Sequence, residues 1–245
     1  MTDILDLIQR RRSSRVPFDP DRKVAAEALK KILAAAAWSP TAHNMQNFEV
    51  IVVDDVAQLR AIGDIKAEIS DVFVRENYEQ LSFSEEELRR KKTGLLAAMF
   101  PPSWRDPNMF ARLEEVAYAE GPSFMKNTIR DCAALLLVTY DSTKRAPASE
   151  GNILGLISLG CVMQNMWLMA EALGIGAQVL SAFSSERIEH ETKKILSIPA
   201  HLKIGFALRL GYPKEESIDH LNKYLRVRRD VGDFAHRNKY GSRID

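Results

Sequence analysis

The feature that most constrains this chain is the run at 153–173, where Ile153, Leu156, Ile157, Leu159, Val162, Met163, Met166, Trp167 and Met169 place apolar side chains on more than one helical stripe. A helix of that kind is stable in water only when most of its circumference is covered, by a large core or by another subunit. Gln164, Asn165 and Glu171 interrupt the run, which falls short of the uninterrupted ~20 apolar residues that a bilayer span requires. No membrane partner is expected, and a dimer interface becomes a candidate cover.

Around this run, helical periodicity marks residues 4–9, 24–37, 56–72, 84–99 and 184–196, while aliphatic and β-branched runs bounded by turn residues mark strands at 49–53, 133–139, 176–183 and 203–210. Helices separate most of the strands. The expected class is α+β, with a central mixed β-sheet flanked by helices. There is neither an internal repeat nor a Gly/Ser-rich linker, and 245 residues with 46% hydrophobic content suffice for one large core, so residues 1–245 are expected to form a single domain. An irregular excursion at 92–126 carries Pro101, Pro102, Trp104, Phe110 and Phe124; it is either a lid over a site or additional core. The tail at 221–245 has few apolar residues of its own and is expected to wrap a partner subunit in an intertwined homodimer.

With 34 Lys+Arg against 33 Asp+Glu, the net charge of +1 gives no basis for nucleic-acid binding. Cys132 and Cys161 lie in apolar runs without metal-ligand spacing, and read as buried thiols in a reducing compartment. His190, His201, His220 and His236 show no metal spacing either, so no metal is expected. The opening residues have neither a basic stretch nor an apolar stretch of the secretory kind, and a cytoplasmic location is expected.

Against this balanced background two basic clusters stand out: Arg10-Arg11-Arg12-Ser13-Ser14-Arg15, and Arg226-Val227-Arg228-Arg229 near the other end. If the first runs extended after a short helix, Arg11, Ser13 and Arg15 share a face spanning about 13 Å at roughly 3.3 Å per residue. Guanidinium forks and serine hydroxyls suit a phosphate dianion. A solvated basic helix end is the other reading. A second motif, Ser39-Pro40-Thr41-Ala42-His43-Asn44-Met45-Gln46, leads into the strand at 49–53. Its amides offer donors and acceptors together, as the carbonyl and N3 edge of a flavin requires, although an Asx-rich turn has the same composition.

Taken in order, RRSxR at Arg11–Arg15, SPxxxNxQ at Ser39–Gln46, LGIG at Leu173–Gly176, LxLGYP at Leu208–Pro213 and the late basic pair resemble the FMN-dependent nitroreductase family over nearly the whole chain. The resemblance implies an NAD(P)H-dependent flavin oxidoreductase, a homodimer with FMN at its interface, and hydride passed by a ping-pong route from NAD(P)H through flavin N5 to small electron-poor acceptors such as nitroaromatics and quinones. It assigns Arg11, Arg12 and Ser13 to the phosphate and ribityl chain, and Arg15 to the N1 and O2 edge, where a cation favours reduced flavin. Pro40, Thr41, Ala42, Asn44 and Gln46 match the loop that reaches the flavin of the other subunit. Val179, Leu180, Ser181 and Ala182 match the segment whose backbone approaches N5, and Arg226 and Arg228 match the late phosphate contacts. No side-chain base is required. Two positions depart from the family pattern: Asn47-Phe48 replaces Pro-Trp, and Ser181-Ala182 replaces Gly-Gly.

His43 reads as a proton donor or as a solvated loop residue, and Ser39 has no partners that would make it a nucleophile. Glu85, Glu86 and Glu87 followed by Arg89, Arg90, Lys91 and Lys92 read as a helix surface. Two alternatives stand beside the reductase: a specialised flavoenzyme of the same fold, dehalogenating or flavin-fragmenting, and a non-enzymatic binder of FMN or another phosphate ligand.

Overall fold

The computed structural model describes residues 3–65, 81–97, 128–223 and 225–244. Among these, the strands are β1 (Glu49–Val53), β2 (Ser82–Phe83), β3 (Leu95–Leu96), β4 (Ala134–Asp141), β5 (Gly176–Leu180) and β6 (Leu202–Gly211). The helices are α1 (Ile4–Arg10), α2 (Ala26–Ala37), α3 (Val56–Gly63), α4 (Glu85–Lys91), α5 (Ile153–Ala172), α6 (Glu186–Leu196), α7 (Glu215–Lys223) and α8 (Val231–Phe234). The chain divides into two compact units, Met1–Ala67 with Pro122–Leu221, and Glu68–Gly121 with Asn222–Asp245.

The first unit is built on a four-stranded sheet of order β1-β4-β6-β5. β4 pairs with β1 from Glu49↔Thr139 to Val53↔Leu135, and with β6 from Ala134↔Leu210 to Asp141↔Leu202 across an irregularity at Val138/Thr139. Ala134 to Val138 are all fully buried, as an unbroken apolar run requires when both faces of a strand are covered. The period of two then sorts them. Leu135 and Leu137 join Val53, Leu59, Ile62 and Ile188 beneath α3 and α6, while Leu136 and Val138 join Ile32, Val162 and Met166 beneath α2 and α5. Glu189 on α6 is tied to β6 by accepting from the Ile204 N–H (3.0 Å) and the Lys203 ammonium (3.5 Å), and pairs with the Lys193 ammonium one turn along its own helix (2.9 Å). Burial pushes its carboxyl up, but Lys193, the Ile204 N–H and Lys203 together outweigh that and hold it below the usual carboxylate value.

Several expectations are corrected. The alternation of helices and strands suggested mixed pairing, yet all pairs in the large sheet are antiparallel, and parallel pairing among the described residues is confined to β2 and β3. The strand read at 176–183 ends at Leu180, where the chain turns into a 3-10 turn at Ala182–Ser184. α5 is not buried around most of its circumference: Leu159, Val162, Met166 and Ala170 face the core, whereas Ile153, Leu156 and Ile157 are 61%, 54% and 57% exposed. It is also the one helix among the described residues long and apolar enough, by length and composition, to cross a membrane. Cys132 is buried as expected, but Cys161 is only half-buried.

In the second unit α4 begins with a capping box between Ser84 and Glu87. The helix read at 84–99 stops at Lys91 because Lys92 (φ 52°) and Gly94 (φ 91°) turn left-handed, and β3 follows. A Cβ on Gly94 would fall 2.5 Å from the Phe83 ring, so that turn also needs the missing side chain. The Lys92 ammonium sits between the carboxylates of Asp230 and Asp233, which themselves cap α8. Most of the 92–126 excursion lies outside the described residues, as does the end of the helix read at 56–72.

Candidate cofactor site

α1 ends at Arg10, and the backbone turns extended at Arg11 (φ −50°, ψ 131°). From there the chain runs along the edge of β5. The Ser14 N–H donates to Ala177 O at 2.9 Å, and Phe18 forms a bridge with Pro213. Ser14, Val16 and Phe18 are buried while Arg15 and Pro17 are exposed, the alternation expected of an extended segment with one covered face. Phe18 lies where β5 and β6 have no side chains: a Cβ on Gly211 would fall 2.4 Å from its ring, and one on Gly176 3.0 Å from it and 3.1 Å from Ser14 Oγ. The LGIG and LGYP motifs are thus the seat of the N-terminal segment. From α5, the Trp167 indole N–H donates to Arg12 O at 3.2 Å, and its ring lies 4.2 Å beneath the Arg11 guanidinium.

One buried residue joins these parts. Arg209 of β6 is 3% exposed. Its guanidinium donates to Ser14 O and Val16 O (both 2.8 Å), Thr128 O (2.9 Å) and Gln178 Oε1 (2.9 Å), and stacks 4.2 Å from the Phe18 ring. Burial draws its pKa down to about 10, which leaves it charged at neutral pH. Nearby, burial pushes the Cys132 thiol up to about 12 while its Sγ–H donates to Ile129 O at 3.0 Å. A raised folded-state value means stability that is complete below the unfolded value of 9.0 and falls as pH rises through that window. Urea titrations at pH 8.5, 9.5 and 10.5 should show stability falling faster in the natural chain than in Cys132→Ala, by a difference that approaches about 1.4 kcal/mol per pH unit only above pH 9.0; equal slopes would contradict the assignment.

The loop at 39–48 is held from α5 as well. Ser39 Oγ accepts from Asn165 Nδ2 (2.9 Å), and Ser158 Oγ accepts from the Ala42 N–H (3.0 Å). A 3-10 turn, Ala42–Asn44, places His43 (φ 50°) and Asn44 (φ 53°) left-handed, followed by Gln46 (φ 46°). Three such residues in four positions are costly for side chains with a Cβ. They are fixed by Thr41 Oγ1 accepting from the Gln46 N–H (3.1 Å) and by Gln46 Nε2 donating to Asn44 Oδ1 (3.1 Å). Asn47 exchanges two hydrogen bonds with the backbone of Asp141 and so lengthens the β1–β4 pairing by its side chain. Thr41, Ala42, Met45, Phe48 and Tyr140 line a small recess against Ser158 of α5.

The structure therefore brings the segment at 11–15 beside β5, whose end carries Val179, Leu180, Ser181 and Ala182, and sets the loop at 40–46 on the same helix that holds Arg12. Arg226 and Arg228 belong to the second unit, where Arg228 donates to Val227 O at 2.7 Å. The sequence reading missed Ser158, Asn165, Trp167, Gln178 and Arg209 as supporting residues. Each had a visible mark: a polar or amphipathic side chain inside an otherwise apolar helix or strand.

Comparison with known proteins bears on the family and the fold. The family model described as "Nitroreductase family" matches residues 8–212. A Thermus thermophilus protein named NADH dehydrogenase is 26% identical over 210 residues, 85% of each chain. Among solved structures, an FMN-dependent nitroreductase from Clostridium difficile superposes with a TM-score of 0.58 at 17% identity, covering 97% of this chain and 100% of that one. A nitroreductase with bound FMN from Bacteroides fragilis does so with a TM-score of 0.54 at 17% identity, covering 88% and 90%.

Proposed function

Because this chain belongs to the nitroreductase family, we propose that it is an FMN-dependent oxidoreductase that takes reducing equivalents from NAD(P)H and passes them, in two separate half-reactions at one site, to electron-poor acceptors such as nitroaromatics and quinones. The observation that carries this reading is the Ser14 N–H to Ala177 O bond (2.9 Å), which sets the basic segment at 11–15 beside the strand that ends in Val179 to Ala182. A phosphate-binding segment and a flavin-ring segment then leave one sheet edge together. Its relatives' names support the same reading: one is an NADH dehydrogenase and one structure holds FMN.

Arg11, Arg12 and Ser13 are the candidates for the phosphate and ribityl chain; Arg11 is held by Trp167 stacking and Arg12 by its carbonyl. Arg15, exposed beside them, offers a cation to the pyrimidine edge. Pro40, Thr41, Ala42, Asn44 and Gln46 form a stiff loop whose backbone is set before any ligand arrives, which lowers the ordering cost of binding. Bound FMN would supply the two-electron centre between donor and acceptor. We further propose that the whole chain acts as one FMN-binding domain in a homodimer, with 92–126 as a lid and 221–245 as the wrapping tail.

The purified full-length chain should be yellow, and mass spectrometry of the released chromophore should give FMN. FAD alone, or a chain that takes up no flavin, would overturn the reading. Anaerobic addition of NADH or NADPH should bleach the flavin, and quinone should restore it. Arg228→Ala should lower FMN affinity by roughly 1.5 to 3 kcal/mol, the range for a hydrogen bond to a charged group, as read by fluorescence titration; unchanged affinity would remove Arg228 from the site.

A further inference from the structure

We propose that Arg209 is a positioning residue for the flavin site: by donating to Ser14 O, Val16 O, Gln178 Oε1 and Thr128 O it fixes the phosphate-binding segment relative to the strand that feeds the flavin-ring segment. The proposal rests on the FMN reading above. Its starting point is an energetic oddity. A guanidinium 3% exposed has given up its hydration, yet all four of its acceptors are neutral. An apolar residue of similar volume would avoid that desolvation but would leave four oxygens without their donor, so what the arginine contributes at this point in β6 is its hydrogen-bonding fork.

What a planar fork with five N–H donors does, and an apolar side chain does not, is hold several carbonyls at once in fixed relative positions. Here the two carbonyls at Ser14 and Val16 straddle Arg15, so the fork sets the alternation that leaves Arg15 on the open face. Nε reaches Gln178, one residue before Val179. Nη1 reaches Thr128, in the segment that leads into β4. A single side chain thus references three segments to one another. Its charge, paired with no carboxylate by a hydrogen bond and only partly offset by nearby Asp131, also lies against the Ser14 and Val16 carbonyls at the end of the segment proposed to receive a phosphate dianion, and favours an anion there.

The test compares FMN with riboflavin, which lacks the phosphate, on the full-length chain stripped of flavin. The variants are Arg209→Met, Arg209→Lys and, as a control for lost packing, Phe18→Leu. Arg209→Met should weaken FMN binding about 10- to 100-fold while riboflavin affinity falls much less. Arg209→Lys, which keeps the charge but not the fork, should recover part of the loss. Phe18→Leu should weaken both ligands equally. If Arg209→Met does not fold, Gln178→Leu carries the test, since it releases the guanidinium from β5 and leaves it on Ser14 and Val16; FMN affinity should then fall about threefold or more with riboflavin unchanged. Equal losses for both flavins, or an unchanged FMN affinity, would overturn the proposal. A natural chain that binds no FMN would overturn the reading beneath it as well.

Discussion

Phe18→Ala should cost about 3–5 kcal/mol of stability, the range for deleting a fully buried aromatic ring. The ring has no exposed surface, rests where Gly176 and Gly211 carry no Cβ, and is covered from above by the Arg209 guanidinium at 4.2 Å. No neighbour can close the gap, because the two glycines belong to paired strands and the guanidinium is held by four hydrogen bonds. The residual cavity should therefore remain, and the segment from Ser14 to Phe18 should lose its seat. Urea unfolding followed by tryptophan fluorescence measures the loss. A change below about 1 kcal/mol, well under that range, would mean that the segment is not docked in solution. The reverse experiment, Gly211→Ala, puts a methyl group 2.4 Å from the same ring and should also destabilise, by about 1–3 kcal/mol.

The second large effect concerns assembly. Ile153, Leu156 and Ile157 leave one face of α5 apolar and open in the single chain. If that face is the interface of a two-fold dimer, each substitution acts twice. Burying a Leu or Ile side chain is worth about 1.5–3 kcal/mol, so Leu156→Asp with Ile157→Asp removes about 6–12 kcal/mol across the four side chains of the pair and raises the dissociation constant by four orders of magnitude or more. Sedimentation at micromolar concentration should give about twice 27.6 kDa for the natural chain and the single-chain mass for the double variant. A natural chain that sediments as a monomer would overturn the dimer. A double variant that stays dimeric would move the interface elsewhere.

Much of the framework could be read before folding, because it depends on local pattern. Glu49–Val53 matches its expected bounds, and α2 begins two residues later than the periodicity placed it. Errors arose where a short-range signal was overruled. The charge pattern of α4 runs on past Lys91, but the left-handed backbone at Lys92 and Gly94 ends the helix. The apolar run to Phe183 continues, but the chain leaves the sheet at Leu180. Direction of pairing was the hardest feature to read, since nothing local in β4 or β6 reports which neighbour it takes. The same holds for the site. Its basic residues and amides were visible as motifs, whereas Arg209, Trp167 and Asn165 matter through contacts with residues more than a hundred positions away. The glycines of LGIG and LGYP counted only as motifs of the resemblance, and their role appears once Phe18 lies on them.

That arrangement has a consequence for biogenesis. The segment from Ser14 to Phe18 is made long before the residues that hold it: Ser14 needs Ala177, Phe18 needs Pro213, and the guanidinium that grips Ser14 comes 195 residues after it. At 5–20 residues per second, synthesis keeps the N-terminal segment waiting for about 10–40 s. During that interval Val16 and Phe18 are apolar side chains without a cover, beside a run of three arginines. Docking of that segment is therefore a late step, timed by the synthesis of β5 and β6 and not by its own residues.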